Sequence, residues 1–124
     1  MNPVLAFDIE TVPDVDGLRR LWELPDTLDD GEVAEMAFQK RRAQAGHDFL
    51  PPYLHRVLVI SYVMRNDTGV QVFTIGAPEC DEATTIRRFH HALEKHEPQL
   101  VSWNGGGFDL PVLNYRALVH GVAA

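Results

Sequence analysis

Short apolar runs along the chain predict three strands in its first two thirds. Val4–Ile9 is apolar except for Asp8, and Pro13 follows soon after, a pattern typical of a short buried strand with an acid near its end. Val57–Met64 and Val70–Ile75 are rich in β-branched and aromatic residues and flank an Asn-Asp-Thr-Gly segment. These two runs predict antiparallel strands joined by a turn.

Helical spacing of apolar residues appears in two other parts of the chain. The segment at about residues 14–56 predicts a mostly helical insertion whose edges are marked by prolines and an Asp-Asp-Gly sequence. The segment from Asp81 to about Glu97 predicts the clearest helix, with Asp81 able to cap its start and Pro98 ending it.

The remaining segment predicts a strand, a glycine-rich loop and a last helix. Leu100–Trp103 is a brief strand, Asn104–Gly107 a tight loop, and Phe108–Val119 a helix with Gly121 near its C-cap. This order of elements predicts an α/β fold with a mixed β-sheet flanked by helices. The length of 124 residues suits a single domain covering residues 1–124.

Composition changes this picture in two ways. Hydrophobic residues at 45% indicate a folded protein, but the net charge of −7 has the wrong sign for holding nucleic acid by charge alone. Divalent cations bound by some of the acids would supply positive charge where a phosphate would lie. Cys80 is the one cysteine and no apolar stretch has membrane-spanning length, so we expect a cytoplasmic protein without membrane contact.

Two acids in the first strand have a spacing that suits metal binding. Strand alternation places Asp8 and Glu10 on the same side, with their Cα atoms about 6.5 to 7 Å apart, while Phe7 and Ile9 point into the core. Two like charges side by side are unfavourable unless cations or donors compensate them. The alternative is a solvated strand end.

Asp109 is the third candidate acid, because it follows the glycine-rich loop at the start of the last helix. The alternative is that Asp109 is simply an N-cap residue, with Leu110 and Pro111 in the first turn. Together, Asp8, Glu10 and Asp109 would supply the hard oxygen ligands that hold two divalent ions for phosphodiester hydrolysis.

Both acidic segments resemble motifs of one enzyme superfamily. Phe7–Pro13 (FDIETVP) resembles the first exonuclease motif of the DEDD superfamily, whose fold is ribonuclease H-like, and Asn104–Leu113 (NGGGFDLPVL) resembles the second. The chain is most similar to the predicted 3′→5′ exonucleases related to the proofreading domain of family-B DNA polymerases. This similarity extends through Phe49–Pro51 and Leu54–Val57 and covers nearly the whole chain.

The resemblance implies a metal-dependent exonuclease that acts on single-stranded or frayed DNA or RNA with two Mg²⁺ or Mn²⁺ ions. Asp8 would hold both metals, Glu10 would bind one of them and help place the attacking water, and Asp109 would complete the second ion's shell. Asn104, Trp103 and Phe108 are the residues we expect at the substrate.

The chain departs from the superfamily pattern after Asp109. The third motif supplies a Tyr or His and, four or five residues later, an Asp, yet no acid occurs here after Asp109. His120 follows Asp109 too soon for that role, so we interpret it as a surface or core histidine. We therefore expect a fold incomplete at the C-terminus, with weak or no activity, and a homodimer as one arrangement that would cover the exposed edge.

Other polar residues have simpler explanations. His90, His91 and His96 lie on one predicted helix, where we expect them to be solvated. Basic pairs such as Arg87-Arg88 could contact phosphates but usually belong to solvated faces. Two alternative functions remain: an inactive nucleic-acid-binding or structural module on the same fold, or an unrelated α/β domain with Asp8 far from Asp109.

Overall fold

The protein is described by a computed structural model that covers residues 2–102 and 105–122. Contacts divide the chain into two compact units. The first is formed by the residues up to Thr11 together with those from Val57 onward, and the second by Val12–Arg56.

The first unit is built on a mixed four-stranded sheet with the order β3-β2-β1-β4. The strands are β1 (Val4–Pro13), β2 (His55–Asn66), β3 (Gly69–Gly76) and β4 (Gln99–Val101). β2 and β3 pair antiparallel around the predicted turn, whereas β1 and β4 pair parallel. The hairpin is confirmed.

Two helices, α3 (Glu82–His96) and α4 (Leu110–His120), flank this sheet. Asp81 caps α3 as predicted, because its carboxylate accepts a hydrogen bond from the backbone N–H of Thr84 at 2.8 Å. Gly121 ends α4 in the left-handed conformation (φ +66°) that favours glycine. Both helices contribute buried side chains to the core, including Phe89 and Leu113. The α/β fold class, consistent with a ribonuclease H-like sheet, is confirmed.

The second unit is helical, with α1 (Val15–Trp22), α2 (Asp30–Ala45) and a short 3₁₀ turn at Pro52–Leu54. Asp29 and Glu32 form a reciprocal capping box at the start of α2. The core of this unit is made of five buried apolar residues: Leu18, Val33, Ala37, Leu50 and Leu54. Among the residues that the structure describes, no helix is long and apolar enough to cross a membrane.

Two boundaries differ from the sequence prediction. β1 continues four residues beyond Ile9 to Pro13, where a residue without an N–H is tolerated at a strand end. Gly105–Asp109 forms one turn of π-helix that leads directly into α4. The prediction of a tight loop is therefore wrong for Gly105–Gly107, which are helical. Glycine has no side chain to restrict its backbone, which allows this helical path as readily as a tight turn. The predicted residues Trp103 and Asn104 lie outside the described residues.

Candidate active site

Strand alternation in β1 separates a core face from an acidic face. Leu5, Phe7 and Ile9 are buried, and the ring of Phe7 packs 5.3 Å from that of Phe89 on α3. Asp8 and Glu10 alternate with them and are exposed. The two acids therefore lie on the same side of β1, as strand alternation predicts. Their exposure fits the alternative of a solvated strand end as well, so their role as ligands stays a prediction.

Asp109 is buried rather than capping a helix. It is 5% exposed, its backbone is helical (φ −59°, ψ −50°), and its carboxylate makes no capping hydrogen bond. An N-cap residue has a non-helical backbone and accepts a hydrogen bond from the first turn. Asp109 thus holds the N-cap position of α4, with Pro111 in the first turn, but its side chain does not cap the helix, so the burial of this acid needs another explanation.

The electrostatics of Asp109 connect it to Asp8. Burial raises the pKa of the Asp109 carboxyl above its ordinary value, and the negative charge of Asp8 raises it further. The nearby Ser102 hydroxyl lowers this pKa, although Ser102 Oγ is buried and makes no hydrogen bond of standard geometry within the described residues. An unrelated domain with Asp8 and Asp109 far apart is inconsistent with this repulsion.

The metal-binding capacity of this site follows from its donors. Two carboxylates that repel each other, one of them buried, are the oxygen ligands that a hard divalent cation stabilises. Glu10 is on the same side of β1 as Asp8. However, within residues 2–102 and 105–122 no group of three or more His, Cys, Asp or Glu side chains is close enough to hold a metal ion. The charge of Asp8 thus acts on Asp109, but Asp8, Glu10 and Asp109 do not form a three-acid cluster within the described residues.

The third predicted substrate residue, Phe108, is half-buried and packs against the core of the first unit. It precedes Asp109 in the π-helical turn, so its packing helps to fix the backbone that carries the buried acid. Its predicted role at the substrate stays a prediction.

A buried ion pair that the sequence did not predict anchors α4. The side chains of Glu82 and Arg116 are 6% and 4% exposed, and Arg116 donates to both carboxylate oxygens of Glu82. His120 Nε2 lies 2.6 Å from the same carboxylate, which agrees with its interpretation as a surface or core histidine. The available signal was an arginine among the apolar positions Val112, Leu113 and Ala117 of one helix.

The histidines of α3 differ from the sequence expectation in one case. His91 and His96 are exposed, as expected, but His90 is half-buried. Its Nε2 has no hydrogen-bond partner among the described residues, and burial lowers its pKa. His90 follows the buried residue Ile86 by four positions, so the two side chains lie on the same face of the helix.

Comparison with known proteins identifies the relatives of this chain. No curated protein matches it. A family model described as a predicted 3′–5′ exonuclease related to the exonuclease domain of PolB matches residues 47–124, which is more than half of the chain. The match includes Asp109 and begins after Asp8 and Glu10. The chain therefore belongs to the family of predicted 3′–5′ exonucleases related to the PolB exonuclease domain.

Proposed function

We propose that this chain is a metal-dependent 3′→5′ exonuclease domain that hydrolyses phosphodiester bonds of single-stranded or frayed nucleic acid. The observation that carries the proposal is the burial of Asp109, within the second motif and at the start of α4, under the influence of the negative charge of Asp8. Membership of an exonuclease-related family supports the same activity. We further propose that residues 1–124 act as a single domain with a helical insertion at about 14–56.

Each of the three acids has a proposed role that follows from its position. Asp8, on the rigid strand β1, and Asp109, at the start of α4, would hold Mg²⁺ or Mn²⁺ between them, and Glu10 would approach from the same strand face. Two bound ions would activate a water molecule and stabilise negative charge on the leaving 3′-oxygen. Asn104, Trp103 and Phe108 would contact the substrate strand.

Metal binding is tested first, by the thermal unfolding of the full chain with and without Mn²⁺ or Mg²⁺. A metal present at 100 times its Kd stabilises a folded protein by about 2.7 kcal/mol, so the melting temperature should rise. Asp8→Asn and Asp109→Asn should remove this rise. Glu79→Gln, which removes an exposed acid elsewhere in the same unit, should keep it. Wild-type protein that neither binds nor is stabilised by either metal would leave the proposal without a basis.

Activity is tested with 5′-labelled single strands of DNA and RNA. Shortening from the 3′ end in Mn²⁺ or Mg²⁺, lost in EDTA and in Asp8→Asn, is the expected result. We expect slow digestion, because the three acids do not form a metal-binding cluster within the described part of the chain. Products that are unchanged by Asp8→Asn would contradict the assignment of Asp8.

The absence of a three-ligand cluster among the described residues favours a second candidate, an inactive nucleic-acid-binding or structural module on the same fold. This alternative predicts that single strands bind in EDTA and remain intact in either metal. The digestion assay therefore separates the two candidates directly.

A further inference from the structure

We propose that a groove between α3 and the β2–β3 hairpin binds a segment of single-stranded nucleic acid, at a place separate from the acidic site. This proposal rests on the proposed function, which supplies the kind of ligand. It adds a second contact with the nucleic-acid strand, away from the acidic site. The groove has a volume of about 410 Å³, within the range of small-molecule sites. Its walls include Arg88, His91 and Lys95 from α3 and Tyr62, Gln71 and Phe73 from the hairpin.

The position of the groove follows from the alternation of the strands. Tyr62 and Met64 of β2 belong to the same core as Phe7 and Phe89, so they are on the sheet face that packs against α3. Asp8 alternates to the opposite face. Among the described residues that line the groove there is none of Asp8, Glu10 and Asp109, so the groove is separate from the acidic site.

The charge of the groove is opposite to that of the chain. The protein has a net charge of −7, yet among the described residues that line this groove there is no Asp or Glu. Arg88 and Lys95 are exposed, and neither pairs with a carboxylate within residues 2–102 and 105–122. Unpaired cations in a groove attract phosphate, and the lining histidine and glutamine side chains add hydrogen-bond donors.

The spacing of the cations indicates a strand rather than a single phosphate. Arg88, His91 and Lys95 follow one face of α3 at intervals of three and four residues. Seven residues of helix separate Arg88 from Lys95 by about 10 Å along the axis, so the two side chains would contact different phosphates. A polymer with several phosphates satisfies both.

An aromatic pair on the opposite wall provides a surface for a base. The rings of Tyr62 and Phe73 stack with centroids 4.8 Å apart and planes inclined by 21°. Phe73 is 39% exposed, so part of its ring is accessible to a base. Cations beside an exposed aromatic ring are the combination that single-strand binders use.

The test measures the binding constant of a labelled 12-nucleotide oligothymidylate, and of the matching oligouridylate, by fluorescence anisotropy. The measurements are made in EDTA over a series of salt concentrations. Arg88→Gln and Lys95→Gln should each weaken binding about fivefold and reduce the slope of log K against log salt by about 0.7, the value for one phosphate contact with a single strand. Arg65→Gln removes the same charge from an exposed residue that does not line the groove, and should change neither quantity.

The aromatic contact is tested by Phe73→Leu, which keeps an apolar side chain against Tyr62. We expect weaker binding of oligothymidylate and unchanged binding of an abasic strand of equal length. Equal losses for both strands would refute the base contact. Circular dichroism melts verify that every variant is folded.

Three outcomes overturn the groove: no binding by the wild type in EDTA, equal effects of Arg65→Gln and Arg88→Gln, or no effect of either groove variant. Each is independent of the nuclease proposal, because binding is measured in EDTA, which removes metal, and the groove variants lie outside the acidic site. Digestion without groove binding refutes only the groove, and groove binding without digestion refutes only the nuclease.

Discussion

Replacing Arg116 with Met removes the cation that neutralises the buried carboxylate of Glu82. Arg116 Nη2 lies 2.6 Å from Glu82 Oε1, and Arg116 Nε lies 2.9 Å from Oε2, so the pair is bidentate. In Arg116→Met, Glu82 would keep the backbone N–H of Val57 at 2.6 Å and the His120 ring. Methionine fills most of the arginine volume, so the lost charge pairing dominates the effect.

The expected loss of unfolding free energy is about 3 to 5 kcal/mol, the range for breaking a buried ion pair by removing one partner. A chain of 124 residues has a total stability on the order of 6 to 19 kcal/mol, so the change is a large fraction of it. At about 3 to 4 °C per kcal/mol for this size, the melting temperature should fall by roughly 10 to 20 °C.

Urea unfolding followed by circular dichroism measures this change. The control is Arg42→Met, which breaks an ion pair on the surface. The side chains of Arg42 and its partner Asp48 are 57% and 60% exposed. This control should lose less than about 1 kcal/mol. The double variant Glu82→Met/Arg116→Met should lose less than the sum of its single variants, because no unpaired charge stays buried. A loss in Arg116→Met no larger than that of Arg42→Met would refute the reasoning.

Two further predictions concern Asp109 and Gly76. Because the pKa of Asp109 is raised in the folded state, its protonation adds stability below the ordinary carboxyl pKa, and this is lost as pH rises through the raised value. In EDTA, Asp109→Asn should therefore melt at a higher temperature than wild type at pH 7, with a gap that narrows towards pH 4; a lower melting temperature at pH 7 would contradict the repulsion by Asp8. Gly76 has φ +146°, and an added Cβ would lie 2.1 Å from the carbonyl oxygen of Leu58. Gly76→Ala should lose about 2 to 4 kcal/mol in urea unfolding, more than Gly69→Ala, which has a positive φ but open space around it. Equal losses would mean that the clash relaxes.

The sequence predicted most elements of the fold because their signals are local. The alternation of β1, the turn between β2 and β3 and the cap of α3 by Asp81 each depend on residues a few positions apart. The π-helical turn was missed for the opposite reason: three glycines permit many backbone paths, and the packing around them selects one.

The candidate site could be predicted only in part. The two motifs named Asp8, Glu10 and Asp109, but the choice between a capping residue and a buried acid at Asp109 required the helix geometry. The Ser102 hydroxyl beside Asp109 had no signal in the sequence, because one serine near a strand end is unremarkable.

The sequence by itself determined the kind of chain this is: an α/β protein of an exonuclease-related family, whose model matches the segment that contains Asp109. The tertiary structure alone decided which charges meet. Glu82 pairs with Arg116 at a separation of 34 positions and with His120 at 38, and Asp8 meets Asp109 across most of the chain. Such contacts depend on how the helices pack against the sheet. Local periodicity predicts which side of a helix or strand is apolar, but it does not predict which residues that side will contact.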